Sequence, residues 1–163
     1  MNRVLFGFKG CGKTYFGRLL AKKLQCSFID TDERILDCYQ QTSGKILSIK
    51  ELHQKIGEEA FRLLEKEVVQ ELQGIENSVI ALGGGTVLFP ENLKILQAMG
   101  TMIYLKISLE TLQKRGVTFS LGPIEDLYGK RLSLYESIPA ICVLVDSLQE
   151  QEIVEQMSRT YGI

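Results

Sequence analysis

An α/β fold is what this sequence predicts: three layers, with one mostly parallel, five-stranded sheet lying between helices. Three observations carry that expectation. Short apolar runs at 4–6, 26–29, 79–82, 101–107 and 141–145 alternate with longer amphipathic stretches, and strands separated by helical stretches pair in parallel through crossovers. The first run passes into Gly7-Phe8-Lys9-Gly10-Cys11-Gly12-Lys13-Thr14, which fits G-x-x-x-x-G-K-[ST] without a mismatch, and then into an amphipathic stretch over 15–24. Strand, glycine loop and helix in that order are the context of a phosphate-binding loop. The third run ends in Gly83-Gly84-Gly85, at the strand end where open parallel sheets hold their ligands.

Each element has its own signals. Residues 13–24 place Phe16, Leu19, Leu20 and Leu24 at helical spacing. The strand over 26–29 ends at Asp30-Thr31-Asp32, and a helix over 33–40 is broken by Thr42-Ser43-Gly44. Ser48 and Glu51 have the capping-box spacing for a short helix through Ile56, which Gly57 ends before a long charged helix over 58–72. Pro90 suits a first helical position and Gly100 a helix end. The strand over 101–107 leads through Ser108 into a helix that fades at Arg115-Gly116. A helix over 126–137 stops before Pro139, and the strand over 141–145 precedes a closing helix over 150–159. The crossover between the second and third strands is longer than a minimal connection. Residues 33–60 therefore read as an insertion placed to cover a ligand, within one domain spanning 1–163.

Composition narrows the partners. At 163 residues, 45% apolar and 24% charged, the chain is ordinary globular material. Nineteen basic residues nearly balance twenty acidic ones, so no basic field exists to hold nucleic acid or an anionic membrane, and a small molecule is the expected partner. No apolar run approaches a membrane span, and Met1-Asn2-Arg3 enters the first strand without room for a signal peptide. Four scattered cysteines and one histidine exclude a Cys/His zinc site and a disulfide framework. A cytoplasmic chain with reduced thiols, monomeric by default, is the expectation.

The motifs carry the chemistry. Gly7, Gly10 and Gly12 let backbone N–H groups wrap phosphate oxygens, with the helix dipole behind them. Lys13 reaches the β- and γ-phosphates of a nucleoside triphosphate, and the Thr14 hydroxyl ligates magnesium. The Cys11 thiol is expected among the loop's N–H donors, as a small residue that fits. Asp30 is placed to hold magnesium through water, while Asp32 can accept a proton from a substrate hydroxyl. One of the two could instead serve only as the N-cap of the next helix, and spacing does not decide this for Asp32. Gly83, Gly84 and Gly85 allow close backbone approach by a ligand. Arg62 has Glu58 and Glu65 at ion-pair spacing, which alone reads as a solvated helix face. Arg131 lacks such partners and is freer to meet an anion. His53, among helical apolar neighbours, reads as a surface or half-buried residue with no catalytic part.

Taken together, GFKGCGKT, DTD, GEEAFRLLEKEVV, LGGG and KRLSLYES, in this order over 4–136, resemble the shikimate kinase family. The resemblance implies a P-loop kinase of the nucleoside monophosphate kinase-like fold that transfers the γ-phosphoryl of ATP to the 3-hydroxyl of shikimate, in aromatic amino-acid biosynthesis. It implies Lys13 and Thr14 on phosphate and magnesium, Asp30 on the magnesium side and Asp32 on the substrate hydroxyls. Arg62 and Arg131 would hold the substrate carboxylate with planar, bidentate forks. Gly83 to Gly85 would donate backbone contacts to substrate, and Arg115 would lie near the adenine. One departure stands out. The family's lid carries an arginine that reaches the transferred phosphoryl, whereas residues 116–126 read GVTFSLGPIED, with no arginine or lysine. Arg115 at the hinge is the first candidate to replace it, with Lys9 and Lys114 behind. The alternatives are another small-molecule kinase, for instance one acting on gluconate, and a nucleotide-binding regulatory protein with a degenerate lid.

Overall fold

The five apolar runs become strands because helices cover them on both faces, so that even side chains on successive residues are buried. β1 (Asn2–Phe6), β2 (Ser27–Asp30), β3 (Ser78–Ala81), β4 (Gly100–Lys106) and β5 (Ile141–Leu144) form one sheet in the order β2-β3-β1-β4-β5, every pairing parallel. In this computed structural model, which describes residues 1–119 and 122–159, β1 and β3 are buried along their whole length. That is the continuous apolar pattern of strands inside a parallel sheet. β5, at one edge, alternates, and leaves Leu144 and Cys142 exposed.

The helices are α1 (Lys13–Leu24), α2 (Thr31–Ser43), α3 (Ile49–Glu71), α4 (Pro90–Met99), α5 (Leu109–Lys114), α6 (Ile124–Ser137) and α7 (Glu150–Ser158). Most of the expected bounds agree within two residues. α2 starts earlier than the expected 33 because Asp30 caps it, accepting from the backbone N–H of Asp32 and Glu33 at 2.9 and 3.3 Å. α6 starts at Ile124, behind Pro123, where 126 was expected. The triple glycine opens into a single 3₁₀ turn, Thr86–Leu88, that the sequence reading had not foreseen. Ser108 caps α5, and the capping box of Ser48 and Glu51 is formed on both sides.

Register brings the functional loops together. Leu5 pairs with Ala81, and Ala81 with Asp30, so the carboxyl ends of β1, β3 and β2 lie level and adjacent. Strands stand about 4.8 Å apart, which puts three loops from distant parts of the sequence within reach of one small ligand. At the opposite end of the sheet the buried Asn2 amide ties the layers, donating to Ile75 O at 2.6 Å and accepting from Ser78 N–H at 3.0 Å.

The stretch between β2 and β3 has a small core of its own. Ile35 and Leu52 are fully buried and pack with Phe61 and Val68, separately from the main core. Burying each such side chain contributes about 2 kcal/mol, enough to hold α2 against α3. α3 is bent at Gly57, whose φ of 83° and ψ of 168° belong to a region essentially closed to other residues. Its first half, through Ile56, can therefore lean over the strand ends while its second half packs on the sheet. No helix among the described residues is long and apolar enough to cross a membrane.

A Cβ at Gly57 would meet nothing within 4 Å, so Gly57→Ala tests backbone strain alone. The expected loss is about 1–3 kcal/mol of unfolding free energy in urea, and an unchanged midpoint contradicts the strained-kink account.

Candidate active site

A cleft of about 440 Å³ opens over the level ends of β1, β2 and β3. Its floor is the phosphate loop. Gly10 and Gly12 hold φ of 84° and 98°, and Gly12 starts α1 from the left-handed region, which a residue with a Cβ adopts at a cost. The buried Lys13 ammonium donates to Gly7 O and Phe8 O, both at 2.9 Å. Cys11 is fully buried in the main core, its thiol 3.8 Å from the Lys13 ammonium, in keeping with a small residue that fits the loop. A small apolar side chain under the loop leaves only its backbone for phosphate.

The aspartates divide their work. Asp30 Oδ1 caps α2, and its other oxygen accepts the Thr14 hydroxyl at 2.6 Å. The capping role left open for the pair therefore falls to Asp30, and Asp32 is free to line the cleft. Between them, buried Thr31 accepts the Gly83 N–H at 3.0 Å and ties the DTD turn to the glycine loop. Burial pushes the Asp32 carboxyl up to about 6 from an ordinary 3.8; Asp30 and Glu65 add to the rise, and Lys13 and Arg62 oppose it. The Thr14 hydroxyl and Asp30 carboxylate are hard oxygen donors side by side. They suit a magnesium ion that takes its other ligands from phosphate and water. Among the described residues no group of three His, Cys, Asp or Glu side chains could hold a metal by itself.

Arg62 corrects the reading of a solvated helix face. It does pair with Glu58, Nε to Oε1 at 2.7 Å, and with Glu65, at 3.0 Å, but its side chain is only 16% exposed and that of Glu65 1%. Glu65 is held in turn by the Thr86 hydroxyl at 2.8 Å. The glycine loop accommodates this arginine: a Cβ on Gly85 would stand 2.8 Å from the Arg62 guanidinium, and one on Gly83 the same distance from Asp32 Oδ1. Close packing of side chains against the loop, and not loop flexibility, is what these glycines serve. Arg131, buried on α6, approaches Gly84 from the other side and lies over the Phe119 ring at 5.8 Å. Among the described residues it has no carboxylate at ion-pair distance. Its guanidinium is open to an anion.

Sequence reasoning missed several residues of this cleft. Glu65 and Thr86 act through Arg62, and Thr31 through Gly83; only helical or strand-end neighbours were visible, not what they touch. His53 and Lys50 line the cleft from the first half of α3, with the imidazole bonded to Glu58 across the Gly57 bend and edge-on to Phe61 at 4.8 Å. Half-buried was the right reading of His53, but its place on the cleft wall was not. Of the hinge cations, Arg115 donates to Gly10 O at 2.8 Å and Lys114 pairs with Glu110 at 2.6 Å, and neither lines the cleft. Lys9 does, and its ammonium donates to Thr118 O at 3.4 Å. Ser120 and Leu121, within the expected lid, lie outside the described residues.

Comparison with known proteins agrees with the cleft. The shikimate kinase family model matches residues 9–161. A shikimate kinase of Thermodesulfovibrio yellowstonii is 35% identical over 170 residues, covering 98% of this chain and 94% of the relative. The solved shikimate kinase of Aquifex aeolicus is 32% identical with a TM-score of 0.78, covering 96% of this chain and 93% of its own. That of Acinetobacter baumannii, solved in complex with shikimate, is 27% identical with a TM-score of 0.81, covering 96% and 89%. A match that runs nearly end to end, in sequence and in three dimensions, decides the relationship: this chain belongs to the shikimate kinase family.

Proposed function

We propose that the cleft transfers the γ-phosphoryl of ATP to the 3-hydroxyl of shikimate, and that the chain works as a cytoplasmic monomer in aromatic amino-acid biosynthesis. The observation that carries this reading is the convergence of a phosphate loop, an aspartate and two arginines on the ends of adjacent strands. Lys13 and the N–H groups of the loop hold the triphosphate, with Arg115 steadying the loop at Gly10 near the adenine end. Thr14 and, through water, Asp30 would hold magnesium, which would neutralise charge on the phosphates. Arg62 and Arg131 grip the shikimate carboxylate from opposite sides of the glycine loop, and Asp32 meets its hydroxyls.

The chemistry follows from that placement. As the 3-hydroxyl oxygen forms its bond to the γ-phosphorus, the bond from that phosphorus to the bridging oxygen of ADP breaks, and the hydroxyl proton passes to Asp32. A carboxyl near 6 is ionised at neutral pH yet more basic than an exposed aspartate, which suits a general base. The transferred group carries its charge on three oxygens and gains from a nearby cation. Lys9 is better placed than Arg115 to be that cation, since it lines the cleft and bonds the lid backbone.

Three measurements check this reading. ADP release must depend on shikimate, and not on gluconate; release without dependence on either acceptor replaces the kinase reading with the regulatory one. In the same assay, Lys9→Ala is expected to lower turnover at saturating substrates by about tenfold or more, while Arg115→Ala and Lys114→Ala stay within about threefold. Equal turnover in Lys9→Ala and wild type removes Lys9 from the transfer step. Finally, a carboxyl raised from 3.8 to about 6 favours the folded state only while protonated. That stability is whole below 3.8 and lost as pH rises through about 6, a cost of about 2–3 kcal/mol at pH 8. Without nucleotide or magnesium, Asp32→Asn should therefore melt higher than wild type at pH 8, with the difference vanishing toward pH 4, while turnover is lost. A pH-independent difference contradicts the burial of Asp32 as its cause.

A further inference from the structure

Tyr135 belongs to no nucleotide-binding or substrate-binding position assigned above, yet three parts of the cleft meet on it. It lies on α6 one turn beyond Arg131 and is fully buried, with its hydroxyl donating to the Gly84 carbonyl. Its ring meets Phe8 of the phosphate loop edge-on at 4.8 Å and Phe6 of β1 at 6.0 Å. The rings alone account for packing. The hydroxyl does something else, because it reaches out of the aromatic cluster to one particular peptide.

The loop is tied on either side of that peptide, Gly83 N–H to Thr31 and Leu88 N–H to the Gly85 carbonyl, but neither glycine has a side chain of its own to set the tilt of the peptide between them. Neither of their N–H groups donates to a protein acceptor among the described residues, and both residues line the cleft. A peptide unit is planar and trans, so its C=O and N–H point in opposite directions. Holding the Gly84 carbonyl against α6 therefore turns the Gly85 N–H away from α6, on the residue against which the Arg62 guanidinium packs. Burial raises the Tyr135 hydroxyl to about 12, with Arg131 pulling it back, so it remains a donor throughout the neutral range.

We propose that Tyr135 is a positioning residue for the phosphoryl acceptor: its hydroxyl orients the Gly84–Gly85 peptide so that the Gly85 N–H is presented to the acceptor beside Arg62. The inference rests on the shikimate reading of the cleft. It makes α6 a dual carrier, with Arg131 binding the acceptor directly and Tyr135 shaping the backbone opposite. Without the hydroxyl the peptide samples several orientations, and the acceptor must select one of them, which weakens binding by the fraction of protein in the competent state. ATP, held by the phosphate loop, is spared.

The test is Tyr135→Phe, which keeps the ring and its aromatic contacts. Titration calorimetry with shikimate should show about a tenfold weaker dissociation constant, with ATP affinity changed less than twofold. In the ligand-free protein, ¹⁵N relaxation should give lower order parameters at Gly84 and Gly85 than in wild type. Wild-type shikimate affinity together with wild-type order parameters at these glycines overturns the inference while leaving the shikimate reading standing. So does a parallel loss of shikimate and ATP affinity with a lowered melting temperature, since that marks a role in the fold as a whole. A wild-type protein that binds no shikimate overturns the functional reading and this inference with it.

Discussion

Asp30 is the side chain on which the cleft depends. One oxygen closes the start of α2 by accepting two backbone N–H groups, and the other accepts the Thr14 hydroxyl from the first turn of α1. A carboxylate at a helix N-terminus is favoured by the helix dipole as well as by those hydrogen bonds. The phosphate-loop helix and the inserted helices are thereby locked to the end of the same strand. Everything downstream in the triplet follows: Thr31, the first helical residue, is turned onto Gly83, and Asp32, the second, onto the cleft. Two of these three residues thus hold different neighbours, and the third is left to the cleft.

The charges around that anchor are balanced unevenly. Burial is the main cause of the raised Asp32 carboxyl; Asp30 and Glu65 add to it, and Lys13 and Arg62 oppose it. Arg62 lies between two carboxylates of different kinds. Glu65 is buried and fixed by Thr86, while Glu58 is 45% exposed and shared with His53. The Glu58 end of the arrangement is thus the more exposed, and the Glu65 end is the anchor. A buried pair is costly to break.

How much of this was legible depends on whether a residue's role is local. The phosphate loop, the Ser48 capping box, Pro90 and the apolar strands were readable because periodicity, caps and fixed spacings act within a few residues. Asp30, Asp32, Arg62, Arg131 and the three glycines were picked out as candidates, and the structure brings all of them to one cleft. Arg115, chosen from the sequence as the hinge cation, is instead turned onto the Gly10 carbonyl. Cys11 was placed in its loop by the motif, and only packing shows its thiol to be buried in the main core.

The sequence by itself determined the fold class, the phosphate loop and the order of the strands and helices, since each follows from patterns that repeat or close over short distances. It also contained both partners of every contact described, yet could not pair them. Arg62 looked solvated because its helix neighbours are acidic, and only burial of Glu65 against Thr86 makes that face interior. Nothing local singled out the Tyr135 hydroxyl, and only the crossover from β4 to β5 carries it to Gly84, 51 residues away in the chain. Burial and long-range register are properties of the packed sheet. They decide which polar atoms lose water, and hence which must find each other.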